Sequence, residues 1–246
     1  MRRYCTLTTE QATLYQAMVE SLLKEVDEAE GITRRAKILT ALLRLKQICN
    51  HPDAFLDDGK MVPERSGKIS LLFSLLEEVL IAGDAAVLFT QFSSFGEKLV
   101  SLIQKTFNDE VLFLHGKTPR KTRDEMVQQF AHPHGPKLFV LSLKAGGVGL
   151  NLTRANHVFH VDRWWNPAVE DQATDRAYRI GQKKNVSVHL LISAGTIEER
   201  IDLLINEKRK LAGSIIGTGE DWITSLSTDE LRDLMSLRGE LIGGES

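Results

Sequence analysis

Residues 138–161 read LFVLSLKAGGVGLNLTRANHVFHV, and this stretch decides the fold of a chain of 246 residues. It contains two short apolar runs, at 138–141 and 157–161, joined by a glycine-rich segment. Three more runs of the same kind lie at 85–89, 111–114 and 186–192. Short, almost continuously apolar strands that alternate with helical patterns are typical of a parallel sheet covered on both faces. The sequence therefore predicts an α/β fold, a parallel sheet flanked by helices.

Helical patterns dominate the two ends of the chain. Thr9 is placed to cap a first helix, and a second helical run ends at 50–52, where a proline disfavours helix in the residue before it. Further helices are expected at 196–211 and 228–237. We therefore expect three segments: an N-terminal helical segment with a linker at 1–66, the sheet domain at 67–193 and C-terminal helices at 194–246.

The composition is that of an ordinary soluble globular protein. Hydrophobic residues make up 42% of the chain, charged residues make up 26%, and the net charge is -2. No apolar run approaches the roughly 20 residues that cross a bilayer, and the first residues do not resemble a secretory signal. Cys5 and Cys49 suit a reducing compartment without disulfides. Because the whole chain is not basic, any contact with nucleic acid must come from local clusters of cations.

Cations surround a predicted helix start after the run at 111–114. Thr118-Pro119 is a favourable way to begin a helix. Four cations crowd the same end, namely Lys117, Arg120, Lys121 and Arg123. Cations at the N-terminus of a helix oppose its macrodipole and cost stability, so an external anion such as phosphate would explain them. A solvated charged helix is the alternative.

The glycine-rich segment at 141–152 suits a ligand that the backbone approaches closely. Closely spaced glycines after a strand allow successive amides to form a nest for an anion. The segment is not the dinucleotide-binding fingerprint, because Leu152 stands where the third glycine belongs. A tight turn between a strand and a helix, without any ligand, is the alternative.

Two adjacent tryptophans, Trp164 and Trp165, follow the run at 157–161. Two large aromatic side chains in one loop cannot both pack well inward, so we expect at least one to be partly exposed. An exposed aromatic ring can stack on a base or enter a groove of the duplex. The alternative is that both rings fill a cleft of the protein.

Segment 172–182, QATDRAYRIGQ, is predicted to continue a helix that begins at Asn166-Pro167. Helical spacing would place Gln172, Arg176 and Arg179 on one face. A separate small and apolar stripe can pack inward: Ala173, Ala177 and Ile180. Two neighbouring guanidinium groups repel each other unless an anion such as a triphosphate lies between them. A surface helix with two solvated arginines is the alternative.

The segment at 172–182 resembles the last ATPase motif of the Swi/Snf-type branch of superfamily-two helicases. Further segments resemble other parts of that family: the fourth motif at 87–92, the fifth motif at 141–152, the helical insertion at 49–52, and the lead into the bracing helix at 195–199. Many eukaryotic members carry threonine and arginine where this chain has Leu143 and Lys144. The resemblance is therefore to a bacterial or archaeal type of member.

The resemblance implies the C-terminal RecA-like lobe of a two-lobed motor, with bracing helices at its C-terminal end. The residues implied in ATP hydrolysis are Arg176, Arg179 and Gln172. Those implied at the ATP cleft are Gly147, Gly149 and Asp175. Those implied in DNA binding are Lys117, Arg120, Ser142, Lys144 and Trp165.

The elements that hold ATP itself are missing from this sequence. Ser66-Gly67-Lys68-Ile69 is the nearest approach to a phosphate loop, and Ile69 stands where serine or threonine must bind magnesium. ATP and Mg²⁺ are therefore expected to be held mainly by a first lobe, and this chain alone is expected to lack ATPase activity. No histidine has cysteine or carboxylate neighbours at metal-binding spacing, so no metal site is expected.

The implied function is that of the second motor lobe of an ATP-dependent double-stranded-DNA translocase. The expected partners are the first RecA-like lobe, double-stranded DNA and a protein bound to that DNA, with no membrane. The expected location is cytoplasmic, at the nucleoid of a bacterium or archaeon, or nuclear in a eukaryote. A non-enzymatic DNA-binding or protein-docking module is the alternative, and a phosphate loop upstream in the longer gene would decide against it.

Overall fold

A computed structural model describes residues 1–142, 150–164, 167–177, 185–210 and 221–238. The contacts within the chain define two compact units. The first unit comprises Met1–Arg3 and Ser70–Leu191, and the second comprises Tyr4–Ile69 and Ile192–Ser246. The first unit contains most of the sheet, and the second unit consists mainly of helices.

Six strands form one sheet, in the order β1-β6-β5-β2-β4-β3. The strands are β1 (Arg2–Cys5), β2 (Ala86–Thr90), β3 (Val111–Leu114), β4 (Leu138–Ser142), β5 (His157–His160) and β6 (Ser187–Ser193). The pairs β2–β4, β2–β5, β3–β4 and β5–β6 are parallel. The predicted α/β fold with a parallel sheet is confirmed.

The five predicted strands all exist, and each observed boundary lies within one residue of the predicted one. Strand β1 was missed. Its sequence, Arg-Arg-Tyr-Cys, has neither an apolar run nor a clear alternation. It lies at the edge of the sheet, where a strand pairs on one side only and so needs less apolar surface.

Helices flank the strands of the first unit. They are α4 (Gly67–Ile81, which begins in the second unit), α5 (Ser93–Phe107), α6 (Arg120–Ala131) and α7 (Pro167–Thr174). The core contains large side chains from the central strands and from α6, namely Val87, Phe89, Phe139, Leu141, Val158 and Phe130. Burial of one such side chain stabilises the folded protein by roughly 1.5–3 kcal/mol. The continuous apolar runs of the sequence are therefore explained by strands that are buried on both faces.

The second unit is helical. Its elements are α1 (Thr9–Asp27), α2 (Gly31–Asn50), α3 (Pro52–Leu56), a 3₁₀ turn (Pro63–Arg65), α8 (Ile197–Lys210), α9 (Asp221–Thr224) and α10 (Thr228–Met235). The prediction that Thr9 caps α1 was wrong by one residue. Thr8 is the cap, because its side chain accepts a hydrogen bond from the Gln11 amide at 3.2 Å while the Gln11 side chain accepts one from the Thr8 amide at 3.2 Å. No helix among the described residues is long and apolar enough to cross a membrane.

A buried ion pair occupies the centre of the second unit and explains the Gly-Lys pair in the sequence. The Lys68 ammonium lies 2.6 and 2.7 Å from the two carboxylate oxygens of Glu198, and it donates to the Asn50 side chain at 3.0 Å. A side chain at Gly67 would place its Cβ 1.9 Å from the Thr6 carbonyl oxygen. The segment 66–69 is therefore a packing point of the second unit.

Candidate functional site

The carboxyl ends of three neighbouring strands lie side by side in the first unit. Thr90 at the end of β2 is in register with Ser142 at the end of β4, and Phe89 is in register with His160 at the end of β5. Asp162 follows β5 by two residues. In parallel sheets ligands collect outside this edge. The polar side chains here are therefore the first candidates for function.

Asp162 fixes the turn that leads from β2 into α5. Its buried carboxylate accepts hydrogen bonds from the Thr90 hydroxyl at 2.5 Å and from the Gln91 amide at 3.0 Å. The Thr90 hydroxyl in turn accepts one from the Phe92 amide at 3.2 Å. Hydrogen bonds to an ionised acceptor are stronger than neutral ones. The turn at the start of α5 is therefore held rigidly against β5, and sequence reasoning did not identify Asp162.

The start of α5 faces Ser142. The hydroxyl groups of Ser93 and Ser142 lie 3.0 Å apart. Ser142 is fully buried, whereas Ser93 is only partly buried. The residue before α5, Phe92, offers no side-chain hydrogen bond to the free amides of the helix. Ser142, one of the predicted DNA contacts, therefore lies behind Ser93 at this edge.

The predicted basic helix start is present at α6. The tight turn before it is closed by hydrogen bonds between His115 and Thr118, from the Thr118 amide to the His115 carbonyl at 2.9 Å and from the His115 amide to the Thr118 hydroxyl at 3.1 Å. The first turn of α6 contains no acidic residue. Lys117 and Arg120 are exposed, and no described residue forms an ion pair with either of them. The N-terminal end of α6 therefore presents positive charge to solvent.

A second rigid turn follows β5. Arg163 and Glu170 form a buried ion pair, with Nε and Nη2 of the arginine at 2.8 and 3.2 Å from the carboxylate oxygens. Glu170 also accepts a hydrogen bond from the Trp164 amide at 2.9 Å. Gln91 donates to the Arg163 carbonyl at 3.4 Å. The loop that carries the tandem tryptophans is therefore tied both to α7 and to the turn after β2.

Trp164 is half-buried, and the predicted DNA contact Trp165 lies outside the described residues. The Trp164 indole nitrogen is buried and has no hydrogen-bond partner among the described residues. Buried indole N–H groups usually find a partner. Trp164 confirms the prediction that at least one ring of the pair is partly exposed. The role of Trp165 stays a prediction.

The helix of the predicted arginine pair begins at Pro167 as expected but ends at Thr174, so the prediction that it continues toward Gly181 was wrong for 175–177, and 178–184 lie outside the described residues. The amide of Ala177 bonds to the Thr174 carbonyl at 3.0 Å, and the Arg176 carbonyl accepts from the Leu152 amide at 3.1 Å. These bonds replace the next helical turn. The chain was predicted to continue because the residue types favour helix, and the tertiary bond from Leu152 overrides that preference.

Gln172 and Arg176 consequently do not share a helical face. Gln172 and Asp175 are exposed, whereas the Arg176 side chain is only 7% exposed. The predicted packing stripe is confirmed for Ala173 and Ala177, which are buried in the core of the first unit. The turn after α7 therefore anchors Arg176 beside that core.

Several predicted residues lie outside the part of the chain that the structure describes, namely Arg179, Gly147, Gly149, Lys144, Trp165, Leu143 and Ile180. Their roles stay predictions. In the described part, no group of three or more histidine, cysteine or acidic side chains is placed to hold a metal ion.

His160 is a further buried polar residue at this edge that sequence reasoning missed. Its Nε2 atom lies 2.9 Å from the Thr174 hydroxyl, and burial lowers the pKa of its imidazole to about 4. The imidazole is therefore neutral at physiological pH. It connects β5 to the last residue of α7, and so it helps to set where the turn with Arg176 begins.

Comparison with known proteins gives this edge of the sheet a context. The helicase conserved C-terminal domain family matches residues 67–181. The putative ATP-dependent helicase/translocase YwqA of Bacillus subtilis (strain 168) is 45% identical over 238 residues, which cover 96% of this chain and 26% of that protein. The chain likewise spans 22% of an uncharacterized ATP-dependent helicase of Mycoplasma genitalium. It thus spans about a quarter of the length of these curated relatives.

Two solved structures from Sulfolobus solfataricus are similar over nearly the whole chain. The C-terminal domain of its SWI2/SNF2 ATPase has a TM-score of 0.84 and 44% identity, covering 97% of this chain and 98% of that one. The core of the same ATPase, in complex with double-stranded DNA, has a TM-score of 0.87 and 48% identity, covering 97% of this chain and 50% of that one. These matches confirm the RecA-like fold and the family that the motifs predicted. The chain belongs to the SWI2/SNF2 family of superfamily-two ATPases, in which it corresponds to the C-terminal helicase lobe.

Proposed function

We propose that this chain is the second motor lobe of an ATP-dependent double-stranded-DNA translocase, paired with a first RecA-like lobe in a longer protein. The carrying observation is the polar edge of the sheet, where Asp162 and Ser142 fix the start of α5 and two exposed cations stand at the start of α6. The similarity to a SWI2/SNF2 core whose structure is described as a complex with double-stranded DNA supports DNA as the ligand.

DNA would be gripped through its phosphates. Lys117 and Arg120 would supply exposed positive charge, and the amides at the start of α5 would supply neutral donors beside Ser93. Ser142 would act through Ser93, because its own hydroxyl is buried. Lys144 and Trp165, which lie outside the described residues, are proposed to contact the same strand on the basis of the family motifs.

The residues of the last motif are proposed to act on ATP that the first lobe holds. Arg176 and Arg179 would place positive charge near the γ-phosphate, Gln172 would help to orient them, and Asp175, Gly147 and Gly149 would belong to the ATP cleft. ATP would be the substrate, and Mg²⁺ bound with it would neutralise charge on its phosphates. The buried position of Arg176 fits a guanidinium whose direction is fixed by its surroundings, so that little ordering remains to be paid on closure.

The test of the DNA proposal is binding of fluorescein-labelled duplexes of unrelated sequence to residues 1–246, followed by anisotropy. We expect weak binding without strong sequence preference, because the contacts are mostly to phosphate. The variant Trp165→Ala should lose affinity by roughly 1–3 kcal/mol with an unchanged salt dependence, because stacking is not ionic. A chain that binds no duplex at low salt, or that binds one sequence only, would contradict the proposal.

A further inference from the structure

The side chain of His160 is fully buried at the end of β5, in the first unit. Its ring stacks on Phe89 of β2, with 5.5 Å between the ring centroids and 25° between the ring planes. An apolar side chain would fill this place without the cost of removing two ring nitrogens from water. Packing alone therefore does not explain why a histidine lies here.

Only one of the two ring nitrogens has a hydrogen-bond partner in the described part of the chain. Nε2 lies 2.9 Å from the Thr174 hydroxyl, whereas Nδ1 is buried and has no partner there. Burial lowers the pKa of the imidazole to about 4, so the ring is neutral and bonds to the hydroxyl as an uncharged group. The polar contact of His160 in the described structure is therefore with Thr174, the last residue of α7.

Thr174 lies where the path of the backbone changes. The Asp175 amide bonds to the Asp171 carbonyl at 2.9 Å, four residues back, as in an α-helix. The next two amides, those of Arg176 and Ala177, bond three residues back, at 3.3 and 3.0 Å. An α-helix turns by about 100° per residue and a 3₁₀ turn by about 120° per residue. The residue at which the path changes therefore sets the direction of the Arg176 side chain.

The backbone around Arg176 is fixed from more than one side. Its carbonyl accepts a hydrogen bond from the Leu152 amide at 3.1 Å, and the next residue, Ala177, is buried in the core of the first unit. The contact between His160 and Thr174 joins the start of the same turn to an inner strand of the sheet. The turn is therefore tied at its start to β5 and at its end to Leu152.

We propose that His160 is a positioning residue for Arg176, and that it acts through the Thr174 hydroxyl by fixing the turn from which the arginine projects. The inference rests on the proposed role of Arg176 in ATP hydrolysis and adds to it the two residues that hold the arginine in one direction. A guanidinium that is oriented in advance stabilises the transition state without being ordered during the reaction. Loss of the contact should therefore lower kcat and leave the KM for ATP nearly unchanged.

The test measures DNA-stimulated ATP hydrolysis by the longer protein with substitutions at both ends of the contact. Thr174→Val replaces the hydroxyl with a methyl group of similar size, and it should lower kcat by about tenfold, the scale of one lost neutral hydrogen bond. Thr174→Ser keeps a hydroxyl and should keep kcat near that of the unsubstituted protein. His160→Gln places an amide near the position of Nε2, so it should retain more activity than His160→Asn, whose amide comes near the position of Nδ1.

A double-mutant cycle separates positioning from a general loss of stability. In a protein that already carries Arg176→Ala, Thr174→Val should lower turnover no further, because an arginine that is absent cannot be misdirected. A purely structural role of the hydroxyl would lower turnover by the same factor in both backgrounds. Thr13→Val is the matched control, since it removes a threonine hydroxyl that bonds to the Thr9 carbonyl within α1 of the second unit. It should leave kcat unchanged.

Three outcomes would overturn the positioning role, and they differ in what they leave standing. Full kcat in Thr174→Val beside a large loss in Arg176→Ala would keep the proposed function and remove only the role of His160. A further tenfold loss when Thr174→Val is added to Arg176→Ala would show that the hydroxyl acts independently of the arginine. Near-normal turnover in Arg176→Ala would remove the proposed role of the arginine itself, and the positioning role with it.

Discussion

In the second unit Lys68 and Glu198 are buried against each other, whereas in the first unit Lys117 and Arg120 stand in solvent at the start of α6. The buried pair has every one of its charges met within the protein, by one another and by Asn50 and the Ser193 amide. Neither of the two exposed cations forms an ion pair with a described residue. Removal of one member of the buried pair would leave an uncompensated charge inside the protein, whereas an exposed cation without an ion-pair partner is available to a ligand.

The largest expected effect is on the buried side of this comparison. Glu198→Ala should lower the free energy of unfolding by about 3–5 kcal/mol, because it leaves the Lys68 ammonium buried and uncompensated. Urea unfolding of 1–246 measures this. Glu125→Ala is the matched control, since its pair with Lys121 is exposed and long, at 3.9 Å, and its loss should change stability by less than about 1 kcal/mol. Equal effects of the two variants would contradict the distinction.

The next largest effect concerns Arg176 and Arg179, the two arginines of the segment 172–182. In the longer protein, Arg179→Ala should reduce DNA-stimulated ATP turnover by about 10³-fold, the scale of an arginine finger. Arg176→Ala should reduce turnover as strongly, and it should also lower the thermal midpoint of 1–246, because the side chain is 7% exposed. Lys105→Ala, which removes an exposed cation near the end of α5, is the control for turnover. Near-normal turnover in both arginine variants would leave only a structural role for the turn.

A smaller effect is expected where an internal contact supports an exposed surface. Asp162→Ala removes the acceptor of the Thr90 hydroxyl and of the Gln91 amide, so stability should fall by about 1–3 kcal/mol. DNA affinity should fall as well, because the start of α5 loses its anchor. Thr90→Val, which removes one hydroxyl from the same contact, should have a smaller effect on both quantities. Unchanged DNA affinity in a folded Asp162→Ala variant would show that the turn after β2 takes no part in binding.

The sequence predicted most of the fold, because strands that are buried on both faces appear in it as continuous apolar runs. It failed where a long-range contact decides the local structure. The end of α7 depends on a hydrogen bond from the Leu152 amide. The role of Lys68, which follows Gly67, depends on its ion pair with Glu198, 130 residues away in the sequence. Strand β1 was not predicted for a different reason. It lies at the edge of the sheet and pairs on one side only, so it needs little apolar surface.

The candidate site was predictable in its exposed parts and not in its supports. Lys117 and Arg120 were identified because cations at a helix start conflict with the macrodipole, a conflict that is visible in the sequence alone. Asp162, Ser93 and the Arg163–Glu170 pair were not identified, because acidic, hydroxyl and basic residues near strand ends are common, and only the folded register shows which of them meet.

The central claim is that the cations at the start of α6 bind DNA phosphates, and the salt dependence of binding tests it most directly. Fluorescence anisotropy of 1–246 with a labelled duplex, titrated at several salt concentrations, gives the slope of log affinity against log salt. We predict that Lys117→Ala and Arg120→Ala each reduce that slope by about one unit and weaken binding alike on unrelated sequences, whereas Lys105→Ala, an exposed cation on α5, leaves the slope unchanged. A slope that is the same in all four proteins would contradict the account and would leave the start of α6 as a solvated charged surface.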